Sequence, residues 1–240
     1  MRKIVVLLIG ILPVIVTAQS RSTIDIITGI DYSYRILNDK NVTPTFGYTF
    51  RMLNARSNTI ESASAKYRDS IEIPDIGFRG GFNINFRLGK NLFFKSGLRY
   101  ISNGYKSVKV NDPTLPFEPE YKASIRFIEV PTGLRYVFYR RKIACFAELG
   151  FATSYVLNYK LKTVTDVDTK SEVIKSADML DLHFNGIISA GAQTDLNEDI
   201  IFFMQPIFRY DLSLLSNAPV REHLYTAGIE CGLRYFVGKK

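Results

Sequence analysis

Ionisable and polar side chains recur at every second position inside otherwise apolar stretches. Between residues 75 and 88, Arg79, Asn83, Asn85 and Arg87 stand on one parity, against Ile76, Phe78, Phe82, Ile84, Phe86 and Leu88 on the other. Residues 142–160 set Phe146, Glu148, Gly150, Ser154, Asn158 and Lys160 against Cys145, Ala147, Leu149, Phe151, Tyr155 and Leu157. Along the chain the polar parity gathers the bases Arg35, Arg79, Arg87, Lys95, Arg99, Arg135, Arg209 and Arg234. It also gathers the acids Asp25, Asp31, Glu129, Glu148, Asp195, Asp211 and Glu230. Such a set is suited to three kinds of chemistry: ion pairing in space closed to water, an ion path, or a small-ligand site. Charges withdrawn from water persist when paired and hydrogen-bonded, so a paired network is the expectation.

Catalysis finds less support. Glycosidase chemistry needs two carboxyls across an open cleft, and the acids show no such spacing. His183 and His223 fall near the ends of their stretches. A lipid-modifying hydrolase would set a histidine beside a serine, with an acid to orient it. His223 has the outward parity, but two residues on stands Tyr225, not serine. Two cysteines, Cys145 and Cys231, and two histidines lack the spacing of a zinc site. The expectation is a chain with no enzymatic activity, no metal and no cofactor, its cysteines free thiols on the apolar parity.

A period of two is a strand signal. Turn signals divide the chain into eight such stretches, near 23–37, 75–88, 91–107, 123–139, 142–160, 180–196, 199–213 and 222–237. They exceed the usual globular strand and suit a tilted strand crossing a membrane. The connections alternate in length: "LGKN" (88–91), "YRRK" (139–142) and "LNED" (196–199) are tight, whereas 38–74, 108–122, 161–179 and 214–221 are longer. An outer-membrane barrel has this asymmetry, with short periplasmic turns and long outer loops. The polar parity is also rich in glycine, which fits a crowded interior. The apolar parity then meets lipid, and tyrosines such as Tyr100, Tyr136, Tyr155, Tyr159, Tyr210 and Tyr225 form interfacial girdles. The alternating segment "TFGYTFRML" (45–53) reads as an extension of a hairpin above the membrane, with membership of a ten-stranded barrel as the alternative.

The first residues read as a leader. Arg2 and Lys3 precede an apolar run from Ile4 to Val16, and cleavage is expected after Ala18. That leaves 19–240 as one barrel domain, with the net charge falling from +8 to +6 (8 − 2). The basic residues are scattered, so nucleic acid is not an expected partner. Outer-membrane lipids and the phosphates of lipopolysaccharide are.

The blocks "GFRGGFNINFRLGKNLFFKSGLRYISNGYKS" (77–107), "IRFIEVPTGLRYVF" (125–138), "ACFAELGFATSYVL" (144–157) and "IFFMQPIFRYDLSLLSN" (201–217) resemble successive parts of the PorT-like outer-membrane β-barrel family. Glu129 with Pro131, and Arg209 with Tyr210, stand where that family tends to have them. The resemblance implies an eight-stranded barrel in a Gram-negative outer membrane and little about activity. The family's namesake is linked to protein secretion, and no motif here ties this chain to it. The end of the chain is similar to the signal read by the barrel-assembly machinery, with Glu230, Gly232, Tyr235 and Val237 filling the pattern.

Taken together, the expected fold is all-β: an eight-stranded antiparallel up-and-down transmembrane barrel with both termini in the periplasm. The expected role is structural or interactive, through long loops that meet an extracellular or envelope protein. A narrow channel, a secretion-system accessory barrel and a lipid-modifying enzyme are the rival readings.

Overall fold

The structure is a computed structural model, and it describes residues 22–38, 72–107, 120–140, 142–164, 169–173, 180–213 and 221–237. The leader 1–18 and the 45–53 segment lie outside the described residues. Nine strands follow in order: β1 (Ser22–Asn38), β2 (Glu72–Arg87), β3 (Leu92–Ser107), β4 (Glu120–Arg140), β5 (Ile143–Val164), β6 (Thr169–Val173), β7 (Leu182–Asp195), β8 (Ile200–Asp211) and β9 (Arg221–Val237).

Eight of them close into an antiparallel barrel. Each pairs with the next, in the order β1, β2, β3, β4, β5, β7, β8, β9. β9 then returns to β1 in unbroken register from Ser22↔Val237 to Asn38↔Arg221. Closure leaves no unpaired edge among these eight, which hydrocarbon requires of a strand. The ninth strand corrects the expected loop at 161–179. β5 runs on to Val164, and β6 folds back onto its C-terminal end from Lys160↔Val173 to Val164↔Thr169. Thr163, Val164, Thr169 and Val173 are β-branched, which favours such a two-stranded projection.

The alternation becomes an inside and an outside. Leu149 is 67 % exposed on the outer wall, and its β5 neighbour Glu148 is buried. The short connections rest on local hydrogen bonds. The amides of Leu88 and Gly89 donate to the Leu92 carbonyl, at 2.9 and 3.1 Å. Asn197 Oδ1 accepts from the amides of Asp199 (2.9 Å) and Ile200 (2.8 Å), an Asx-type turn. Arg87 and Asp195, expected inside, are exposed where β2 and β7 run into these turns.

An irregularity in β5 reverses the parity of that strand's end. Arg126 faces Asn158 while Phe127 faces Val156, so Leu157 is an extra residue on β5. Beyond this bulge Tyr159 turns inward, its hydroxyl 2.9 Å from that of Tyr105, and packs beside the buried Ile101, Ile125, Phe127 and Leu224. Asn158 and Lys160, read as interior, pair with the outward Arg126 and Ser124 instead. A bulge shifts every later residue to the opposite face, which strict alternation cannot foresee.

Apolar side chains cap the charged middle of the lumen at both levels. Toward the tight turns lie Ile27, Val137, Phe146 and Phe203; toward the long connections lies the Ile101 cluster. Gly191 and Gly232 make room for the two phenylalanines. A Cβ on Gly191 would sit 2.7 Å from Phe146 Cζ, and one on Gly232 2.7 Å from Phe203 Cζ.

Leu149→Arg places a cation on the outer wall near mid-span, at a cost of about 2–4 kcal/mol. Urea unfolding of the barrel in lipid vesicles, followed by its heat-modifiable shift on gels, is expected to register that loss. Unchanged stability would overturn the assignment of that face to lipid.

Candidate functional site

The lumen is the site that the sequence marked, and its charges fall into connected groups. Near the turn end, Arg234 grips Asp25 through both carboxylate oxygens, at 2.7 and 3.0 Å. Its third nitrogen donates to Gln193 Oε1 at 2.9 Å. Arg135 approaches the same Asp25 at 3.6 Å and ion-pairs with Glu148, which also holds Lys95 and accepts from Ser189 Oγ at 3.3 Å. The Arg135 guanidinium lies over the Phe146 ring, 4.4 Å from its centroid, so cation–π attraction joins the ion pairs.

Glu230 occupies the middle. Arg99 comes within 3.1 Å and Arg79 within 3.7 Å, while Arg79 binds Asp31 with two nitrogens. Gln205 Nε2 donates to Glu230 at 2.9 Å and reaches Glu148 at 3.4 Å, so one amide joins the lower and middle groups. The other arginines of the polar parity are held elsewhere. Arg35 pairs with Glu72 near the far end, Arg209 with Glu129, and Arg135 with Glu148. Arg99 arrives from a strand three places away, because tilt and stagger bring distant strands level.

The third group lies toward the long connections. Glu129 binds Arg209 and accepts from Ser154 Oγ at 3.1 Å, and Ser154 accepts from Asn185 Nδ2 at 2.9 Å. A cavity of about 20 Å³ opens beside them, lined also by Asn103, His183, Asp211 and Thr226. Asn103 Oδ1, Glu129 Oε1, Arg209 Nε and Thr226 Oγ1 have no hydrogen-bond partner among the described residues. The space suits one water, donating to two of the acceptors and accepting from Arg209.

His183 does not form a hydrolytic triad. Its Nδ1 meets both Asp211 Oδ2 (3.1 Å) and Ser213 Oγ (3.2 Å), and its Nε2 faces the Leu180 carbonyl at 2.8 Å. A triad needs the nucleophile on one ring nitrogen and the orienting acid on the other. Here Ser213 donates to Asp211 Oδ1 at 2.7 Å, and the group ties residue 180 to residue 213 as a latch. His223 stacks on Tyr210 at 5.8 Å, and its Nδ1 lies 3.0 Å from the Asp211 carbonyl.

Arg79, Arg99, Glu129, Arg135, Glu148, Arg209, Asp211, Glu230 and Arg234 are all buried. Of the assembly pattern, Glu230 and Gly232 face inward, Tyr235 is partly exposed and Val237 is exposed at the end of β9. Both cysteines are free. Sequence reasoning passed over Glu72, the partner of Arg35, because Pro74 hid the start of β2. Ser213 gave no signal, since its role depends on the latch geometry.

A family model described as outer membrane protein beta-barrel domain matches residues 17–218. Among curated proteins, none matches the chain. Solved structures similar to it include the attachment invasion locus protein Ail of Yersinia pestis in complex with sucrose octasulfate: 12 % identity, 90 % of this chain and 100 % of that one covered, TM-score 0.39. Neisserial surface protein A is 10 % identical, covering 89 % and 96 %, with TM-score 0.41. OprG of Pseudomonas aeruginosa is 10 % identical, covering 92 % and 97 %, with TM-score 0.44.

Glu230→Ala strands Arg99 beside a buried void and is expected to cost about 3–5 kcal/mol. Glu230→Gln keeps a polar partner and is expected to lose less. In a double-mutant cycle with Arg99→Ala, the two losses are expected to overlap by about 0.5–3 kcal/mol, whereas those of Glu230→Ala and Arg35→Ala add. Additive losses for the Arg99 pair in equilibrium unfolding would remove Glu230 from the centre of the network.

Proposed function

Because the chain belongs to the outer membrane protein β-barrel domain family, we propose that it is a non-enzymatic barrel whose locked interior is a fixed platform for the long connections at the outer surface. The single observation that carries this reading is the enclosure of the lumen: Arg79 and Glu230 are 0 % exposed, with apolar clusters above and below. An interior filled by paired side chains leaves no aqueous path, which disfavours a channel. The arrangement around His183 disfavours hydrolysis. What remains for interaction is the end where 39–71, 108–119 and 214–220 join the strands, together with the β5–β6 projection. Binding loops on a rigid scaffold are a common division of labour. The blocks 77–107, 125–138, 144–157 and 201–217 support a PorT-like branch within the family. The short turns and both termini then face the periplasm, and the long connections face the exterior, where they meet an extracellular or envelope protein. The last strand serves the barrel-assembly machinery.

Protease added to intact cells is expected to cut within 39–71 and 174–181 and to spare the 139–142 turn. Planar-bilayer recordings of the refolded barrel are expected to lack unitary current steps. Cleavage confined to the short turn would invert the orientation, and reproducible conductance would replace display with transport.

A further inference from the structure

The bulge at Leu157 does more than turn Tyr159 inward. It brings Lys162 to the outer face directly opposite Lys122, and Lys122 stands directly opposite Lys106. Three lysines on adjacent strands thus form one row, all exposed. Neighbouring strands are about 4.8 Å apart, and like charges directly opposite each other are destabilising unless something neutralises them. Lys122 has one acid, Asp75 at 2.6 Å. Lys106 and Lys162 have no acidic partner among the described residues. Glu120, exposed, stands one outward position beyond Lys122.

The row has a definite height. The outward apolar side chains of β4 run from Phe138 to Ile128, the length that spans the hydrocarbon. Tyr100, Ile128 and Tyr155 lie in register at its edge. Two positions further out comes Arg126, then Ser124 beside Lys160, then the lysine row. At the usual rise and tilt, Arg126 sits about 5 Å beyond the hydrocarbon and the row about 15 Å, with flexible stems able to reach down.

We propose that this face of β3–β5 binds a phosphorylated glycolipid of the lipopolysaccharide type. Its membrane-proximal phosphate would meet Arg126 and Lys160, and the anionic groups of its sugar head would meet Lys106, Lys122 and Lys162. Cations at two heights fit a ligand with anions at two heights better than a phospholipid with one phosphate at the boundary. The assignment to the outer leaflet rests on the orientation proposed above, but the site itself is testable without it.

The test is a titration of the folded full-length chain in uncharged detergent, read by native mass spectrometry. The probes are deep-rough lipopolysaccharide, phosphatidylglycerol and inorganic phosphate. The glycolipid is expected to bind best, and Lys106→Gln/Lys122→Gln/Lys162→Gln to weaken it at least about tenfold. The corresponding Lys→Arg triple and Lys142→Gln, at the opposite end, are expected to retain it. Heat-modifiability confirms that each variant is folded; the exposed positions make this the expected result, and the Arg triple provides a folded comparison if the Gln triple fails. Equal binding by parent and Gln triple overturns the proposal. So does loss in the Arg triple, loss in Lys142→Gln, phosphatidylglycerol binding as tight as the glycolipid, or saturation of the site by inorganic phosphate alone. Because the titration has no sidedness, failure here is distinguishable from an inverted orientation in the protease experiment.

Discussion

A carboxylate shut off from water needs cations, and Glu230 finds them on strands two and three places away, in Arg79 and Arg99. Asp31 shares Arg79, and Gln205 links Glu230 to Glu148, which holds Arg135 and Lys95. Among the described residues, buried bases and acids nearly balance: Arg35, Arg79, Lys95, Arg99, Arg135, Arg209 and Arg234 against Asp25, Asp31, Glu72, Asp75, Glu129, Glu148, Asp211 and Glu230. Pairs such as Arg99–Glu230, Arg209–Glu129 and Lys95–Glu148 join strands that are not neighbours, so strand registers are coupled through the interior as well as around the wall. A slip of one residue would carry an entire set of charges into lipid. Such a network is weak evidence for high stability and better evidence for a unique register.

Most of the architecture was legible in the sequence because the membrane makes strong demands. Charge on one parity, apolar side chains on the other and segregated connection lengths together leave few folds. The eight barrel strands fall within a few residues of where alternation places them. What resisted reading was set by geometry that sequence spacing does not encode. The bulge at Leu157 has no glycine or proline to announce it, yet it reverses Asn158, Tyr159 and Lys160. The partners of Glu230, Arg79 and Arg99, depend on the stagger of the closed barrel, which spacing along the chain does not encode. The projection of β5 and β6 was hidden in a polar segment that looked like loop.

The phenylalanines inside the barrel illustrate a different economy. Phe146 and Phe203 stand edge-to-face, 6.4 Å apart, with Arg135 over both rings and Arg234 over Phe203. Glycines on β7 and β9 give them room. Apolar bulk thus enters a charged lumen without separating ions from their partners, and the flat guanidinium groups serve both kinds of neighbour.

The seam between β1 and β9 has a consequence for how the molecule comes into being. It joins the first described strand to the last over seventeen residue pairs, from Ser22↔Val237 to Asn38↔Arg221. Among the described strands β9 is needed to close the barrel, so biosynthesis delivers this closing strand after the other eight have been made. Until then β1 and β8 each present a free edge, a template for pairing with another chain. Contacts so distant in sequence form slowly. The interval between emergence and closure is therefore the vulnerable part of this protein's life, and a truncation that removes β9 would make that interval permanent.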